Sequence, residues 1–198
     1  MVLAYSSISD KEDSEVATTA FEKKTTLPVG TWKVDPTHSH VGFAVDYMVG
    51  TFRGSFSPVD ATLEVSEDGT AVLQGSAPVS GVKVQDEALQ AHLQSPDFFD
   101  AERAPEIRFH STQLDRSGDE ITVTGELEIR GVTHPVVLHG TIGEPADDPF
   151  GGVRFALRLE TAVDRTAFGI DWNNPLPTGE PALANDVTLS AELYLVKA

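Results

Sequence analysis

From Gly30 to the end of the chain, apolar and polar residues alternate with a period of two. That is the mark of strands with one buried and one wet face. Val41, Phe43, Val45 and Tyr47 alternate with Gly42, Ala44 and Asp46, and Ile121, Val123, Gly125, Leu127 and Ile129 with Thr122, Thr124, Glu126, Glu128 and Arg130. Val136, Leu138, Gly140 and Ile142 repeat the pattern, as do Val153, Phe155, Leu157 and Leu159. The last run places Val187, Leu189, Ala191, Leu193 and Leu195 opposite Thr188, Ser190, Glu192 and Tyr194.

Turn residues separate these runs. Glu67-Asp68-Gly69 divides strands expected near 59–66 and 70–82; Ser117-Gly118-Asp119 divides 105–116 from 120–130; Arg130-Gly131 leads into 132–143; Asp147 to Gly152 precedes 153–164. Apolar parity flips between Phe56 and Val59, across Pro58, which predicts a bulge or bend within one long strand over 51–66. Asp86 to Gln94, with acids in its first turn and Leu89 and Leu93 four apart, predicts a short helix, and Ser95 to Phe99 a second short turn. Pro175, Pro177 and Pro181 make 165–184 mostly loop.

Eight or nine long antiparallel strands must close or expose their edges. The expected fold is therefore all-β: a closed antiparallel barrel of eight or nine strands with one or two short helices. Twelve residues at ~3.3 Å each, tilted ~40°, give a barrel roughly 30 Å tall.

Composition narrows the function. The 198 residues carry 14 basic and 31 acidic side chains, a net charge of −17, which repels nucleic acid and anionic membrane surfaces. No run of 18 apolar residues exists, so no membrane-spanning helix is expected. With no cysteine, disulfides, thiolate nucleophiles, zinc–thiolate and iron–sulfur sites are excluded. Residues 1–27 show no periodicity and hold three bases and five acids. They read as a flexible polar tail, ahead of a barrel domain over 28–198. The tail lacks the basic start and apolar run of a secretion signal, so a cytoplasmic location is expected.

Catalytic signatures are absent: no G-x-S-x-G, H-E-x-x-H, Walker or G-x-G-x-x-G pattern occurs. His38 and His40 share a strand face but lack a third ligand pattern. His92, His110 and His139 read as surface residues, and His134 shares the apolar parity beside Pro135. Asp147 and Asp148 read as a turn rather than a calcium site. Ser76 and Ser111 have no base pattern nearby. No catalytic residue, no metal ligand and no enzymatic activity are expected.

The inward face mixes Trp32, Phe43, Phe52, Phe56, Phe109 and Phe155 with Gly54, Ala61, Gly75, Ala77, Gly125, Gly140 and Ala191. The small residues either leave a cavity or mark bulges or tight bends. The sequence leaves both readings open.

Gly30-Thr31-Trp32 resembles the Gly-x-Trp start of lipocalins. A wider set of blocks resembles the YceI-like family of polyisoprenoid-binding, lipocalin-like barrels. These are Trp32-Lys33-Val34-Asp35-Pro36-Thr37-His38-Ser39-His40-Val41-Gly42-Phe43, Gly50-Thr51-Phe52-Arg53-Gly54-Ser55-Phe56, and His92-Leu93-Gln94-Ser95-Pro96-Asp97-Phe98-Phe99-Asp100. Further along come Ala104-Pro105-Glu106-Ile107-Arg108-Phe109, Gly125 to Val136, and Asp164-Arg165-Thr166-Ala167-Phe168-Gly169. The resemblance implies a lipocalin-like, extended eight-stranded antiparallel barrel, capped by a helix, whose pore holds a long isoprenoid chain (polyprenyl, quinone or carotenoid type), with no cofactor beyond that lipid. Many relatives carry a secretion signal where this chain has its polar tail. The expected ligand-binding residues are Trp32, Phe43, Val45, Phe52, Phe56, Phe109, Leu127, Leu138, Phe155, Leu157, Phe168, Ala191 and Leu193. The reading is a carrier or sequestering protein; its rivals are an enzyme acting on an isoprenoid and an interaction scaffold with a filled barrel. Partner proteins are not legible in the sequence, and a homodimer stays open.

Overall fold

The structure, a computed structural model, describes residues 26–198. The expected tail over 1–27 lies outside the described residues except for its last two positions. Those two sit on the barrel: the Arg116 guanidinium donates to the Thr26 carbonyl at 3.2 Å, and Leu27 packs on the core.

The strands are β1 (Gly30–Val34), β2 (His40–Tyr47), β3 (Gly50–Phe56), β4 (Asp60–Val65), β5 (Ala71–Pro78), β6 (Val82–Lys83), β7 (Glu106–Ser117), β8 (Glu120–Ile129), β9 (Val132–Ile142), β10 (Ala146–Asp147), β11 (Val153–Asp164) and β12 (Leu183–Lys197), with one helix, α1 (Glu87–Gln94). All pairings are antiparallel, and they close into an eight-stave barrel. Four staves are broken: β1 continues into β2, β3 into β4, β5 into β6, and β9 into β10. β12 lies along β11 on one side and along β2 and then β1 on the other, which closes the ring.

The predicted bend at Phe56–Val59 is the break between β3 and β4. Phe56 and Val59 are both buried, so three positions carry the chain across one change of parity. The break is held by the Ser57 N–H donating to the Gly81 carbonyl at 2.9 Å, from a 3₁₀ turn at Val79–Gly81 that interrupts the next stave.

Helix α1 starts where predicted. Asp86 caps it by accepting from the Leu89 N–H at 2.7 Å, satisfying a backbone donor that the first turn would otherwise leave free. Leu93 is its buried anchor. The segment expected as loop over 165–184 opens instead with a 3₁₀ turn, Arg165–Phe168, and β12 begins at Leu183, four positions before Val187, where the alternating run begins. A bulge between Leu183 and Val187 explains the shortfall: it breaks the period-two pattern that marks the strand.

Burial divides the interior in two. Trp32, Leu63, Ile121, Val123, Ile142, Phe155, Leu157 and Leu195 form a packed half. Its centre is the edge-to-face pair Trp32–Phe155, with centroids 4.7 Å apart. The other half is built from Phe43, Phe56, Leu127, Ile129 and Val136, roofed by Leu93, Phe98, Phe99, Phe168 and Ile170.

Candidate functional site

The second half is hollow. A cavity of about 350 Å³ runs from mid-barrel to the roof, within the usual range of small-molecule sites, ~300–1,000 Å³. Ala61, Leu73, Leu159 and Leu193 form its floor, where it meets the packed half. The walls are the inward positions of β2, β3, β7, β8, β9 and β12, and the roof is α1, the turn after it and the 165–183 segment.

Phe43, Val45, Phe52, Phe56, Phe109, Leu127, Leu138, Phe168, Ala191 and Leu193 line this cavity. Trp32, Phe155 and Leu157 do not; they face the same interior from the packed half. Trp32 is 2% exposed, with its indole N–H donated to the Pro28 carbonyl at 2.8 Å, and Leu157 is fully buried. Alternation tells which side of the sheet a residue faces. It does not tell how far along the barrel axis space remains.

The small residues divide in the same way. A Cβ on Gly54 would lie 2.4 Å from the Phe43 ring, and one on Gly125 2.6 Å from the Phe109 ring. These glycines are flat seats for rings on the neighbouring strand. At Gly140 a Cβ would strike the Arg158 carbonyl, a close backbone approach. Ala61, Gly75, Ala77 and Ala191 instead border open space. The cavity reading therefore holds at four of the seven positions; at the other three the glycine answers to a close contact rather than to a bulge or bend.

Aromatic rings join wall to roof. Phe99 meets Phe56 edge-on at 5.4 Å and Phe43 at 6.1 Å. Above them His92 stands edge-on to Phe98 (5.0 Å) and Trp172 (5.2 Å), with its Nε2 3.0 Å from an Asp97 carboxylate oxygen. His92 thus ties α1 to the 169–182 loop at the cavity's edge.

One buried cation borders the cavity, which the inward pattern of the strands did not predict. Arg165 is 5% exposed. Its Nε donates to the Ala184 carbonyl (2.8 Å), and Nη1 to the carbonyls of Ile170 (2.6 Å) and Trp172 (2.8 Å). Nη2 reaches the Leu183 carbonyl and Asn185 Oδ1. Desolvation lowers its pKa, opposed by the charges of Asp171 and Asp164; an arginine remains charged through such a shift. Its donors are spent on backbone carbonyls, so Arg165 pins the roof loop, and its charge is compensated by carbonyl dipoles. Asn173 completes the pinning by accepting from the Ala182 and Leu183 N–H groups and donating to the Leu183 carbonyl.

Several of the other candidates have structural partners. His134 Nε2 lies 2.9 Å from the Ala167 carbonyl, and its ring is edge-on to Phe168, so it fastens the 3₁₀ turn to β9 outside the cavity. His38 pairs with Asp35 at 2.7 Å, holding that carboxyl below the usual carboxylate range. Asp148 accepts from the Gly152 and Phe150 N–H groups and from Arg154. Ser111 is buried at a bulge in β7, where its Oγ accepts from the Leu73 N–H at 2.7 Å and replaces a lost ladder bond. Among the described residues no three His, Asp or Glu side chains converge as a metal site.

Arg165, Phe98, Phe99, Ile170 and Trp172 were not among the expected site residues. The adjacent Phe98-Phe99 outside any strand was the one signal in the chain that could have found the roof. Nothing local marks an arginine as buried.

The family model described as the YceI-like domain matches residues 32–195. Protein YceI of Escherichia coli O157:H7 is 29% identical over 136 residues, 67% of this chain and 71% of its own length. The crystal structure of BcnA from Burkholderia cenocepacia superposes with a TM-score of 0.69 at 21% identity, covering 81% of this chain and 98% of BcnA. A domain from Saccharophagus degradans described as polyisoprenoid-binding, and as implicated in plant cell wall breakdown, gives a TM-score of 0.59 at 10% identity, over 84% of this chain and 98% of its own. At these identities the structural matches establish the fold.

Proposed function

Because the chain belongs to the YceI-like domain family, we propose that it binds the chain of an isoprenoid lipid in the hollow half of its barrel and carries or sequesters it. The observation that carries this reading is the apolar cavity itself, floored by Leu73, Leu159 and Leu193 and walled by phenylalanine rings. A cavity of that size whose exposed lining is almost wholly apolar is a poor host for ordered water and a good one for hydrocarbon. The description of the Saccharophagus degradans domain supports the same ligand class.

Burial supplies the affinity. At ~0.8 kcal/mol per CH₂, ten buried carbons contribute ~8 kcal/mol, about the micromolar level before the entropy of immobilisation is subtracted. The reading is one of binding rather than catalysis. Of the ionisable groups along the cavity, Arg165 is engaged with carbonyls, His92 with Asp97, and Arg108 with Glu106 and Glu128.

Solvent extraction of the purified protein, followed by mass spectrometry, tests the proposal. The expected result is a long-chain isoprenoid near one equivalent. An empty extract, together with failure to take up added farnesol, overturns it.

A further inference from the structure

The turn between β2 and β3 breaks two local rules at once. Tyr47 and Gly50 are paired, so Met48 and Val49 are the two central residues of a tight hairpin. Such turns select Gly, Asn or Asp, because one or both central residues need a positive φ. Here Met48 has φ +51°, a conformation a side chain of that size seldom adopts. Both residues also present apolar side chains to water: Met48 is 56% exposed and Val49 fully so. Neither the turn nor the core explains them. A position that departs from local preference without a compensating contact is where function is expected.

Their place in the fold supplies the rest. The Met48 N–H donates to the Ala182 carbonyl at 2.7 Å. Tyr47 pairs with Leu183, and both line the cavity. The tip therefore stands on the rim of the hollow half, next to the roof loop that Arg165 pins. A long apolar chain has almost no free concentration in water, so a protein that buries one must load where the chain already resides.

We infer that the Met48–Val49 tip seats the cavity rim on an electrically neutral lipid surface, so that an apolar chain passes between bilayer and barrel without crossing water. The inference rests on the isoprenoid-binding reading above. Two exposed apolar side chains at the cavity rim suit shallow insertion at the headgroup boundary. The net charge of −17 selects a zwitterionic surface, since an anionic one repels the protein.

The test compares wild type with the double variant Met48→Gly/Val49→Ser. The glycine suits the positive φ and the serine suits water, so the variant's melting temperature is expected at or above that of wild type. Radiolabelled farnesol is supplied in two ways: from ethanol without vesicles, and within phosphatidylcholine vesicles that are then removed by flotation. Without vesicles both proteins take up equal farnesol. From vesicles, wild-type uptake is expected to rise in rate with vesicle concentration, and the variant to be slower by about tenfold or more, the loss expected when two apolar side chains no longer leave water. Phosphatidylglycerol vesicles at low salt are expected to load wild type more slowly than phosphatidylcholine. Equal vesicle rates for the two proteins, a wild-type rate independent of vesicle concentration, or faster loading from phosphatidylglycerol each overturn the inference while leaving the binding reading intact. A dimer seen by light scattering in wild type and lost in the variant reassigns the tip to a contact between copies, and overturns it too. No uptake by either protein in the vesicle-free arm overturns the binding reading, and this inference with it.

Discussion

The two halves of the barrel are made from the same strands. β12 gives Leu195 to the packed half and Val187, Leu189 and Ala191 to the hollow one; β8 gives Ile121 and Val123 to the first and Leu127 and Ile129 to the second. Along these two strands the alternation is unbroken from one half to the other. The difference lies in what meets across the barrel. In the packed half an indole and a phenyl ring fill the centre, surrounded by leucine and isoleucine. In the hollow half the rings of Phe43 and Phe109 lie over Gly54 and Gly125 on the neighbouring strands, while alanine and glycine elsewhere border the space. One end of the barrel behaves as a core and the other as a container, with no change in the strand pattern.

Truncation should separate them most strongly. Trp32→Ala empties the packed centre, and a loss of about 3–5 kcal/mol is expected, as for large-to-small changes at aromatic core positions. Urea denaturation would show it. Phe52→Ala, on the cavity wall, should cost clearly less, because part of that ring already faces open space. Equal losses would mean that the cavity is not hollow in solution.

Arg165→Met comes next. Several carbonyls of the roof lose their donor, and an unsatisfied buried acceptor costs ~1–3 kcal/mol. With partial relaxation, an overall loss of ~2–3 kcal/mol is expected. Hydrogen exchange should accelerate across 169–185 and stay unchanged around Val123 and Leu157. Uniform acceleration would show that roof and packed half unfold as one unit.

Ala191→Phe probes the container directly. Ala191 pairs with Val41 and Leu159 and borders the cavity, so a ring there occupies the space proposed for the ligand. Farnesol retention should fall about tenfold, equivalent to ~1.4 kcal/mol, with the denaturation midpoint nearly unchanged. The paired control, Val123→Phe in the packed half, should overpack and destabilise by ~1–3 kcal/mol. Retention that survives Ala191→Phe would place the ligand elsewhere.

The smallest effect expected is on the outer loops that close the packed end. The Asp148 carboxyl is held below the usual carboxylate range, first by the Gly152 N–H and then by Arg154. Its stabilisation is therefore present at neutral pH and is lost as pH falls below about 4, through the lowered folded value. Amide exchange at 148–152 should rise on acidification, while binding in the apolar cavity stays level. A parallel fall in binding would couple the two halves.

Strand existence, the helix over 86–94 with its Asp86 cap, the parity flip at Phe56–Val59 and the closed barrel were all legible in the sequence, because each depends on local periodicity, a turn residue or a capping side chain. Most of the cavity wall was legible for the same reason: facing follows from parity. Tertiary structure alone decided which inward residues meet a filled centre and which meet space, since that depends on side chains brought together from strands distant in the chain. It alone placed the β2–β3 turn on the cavity rim. It also decided that Arg165 is buried, because its burial is made affordable only by carbonyls that converge when the 169–185 segment folds back over the barrel's open end.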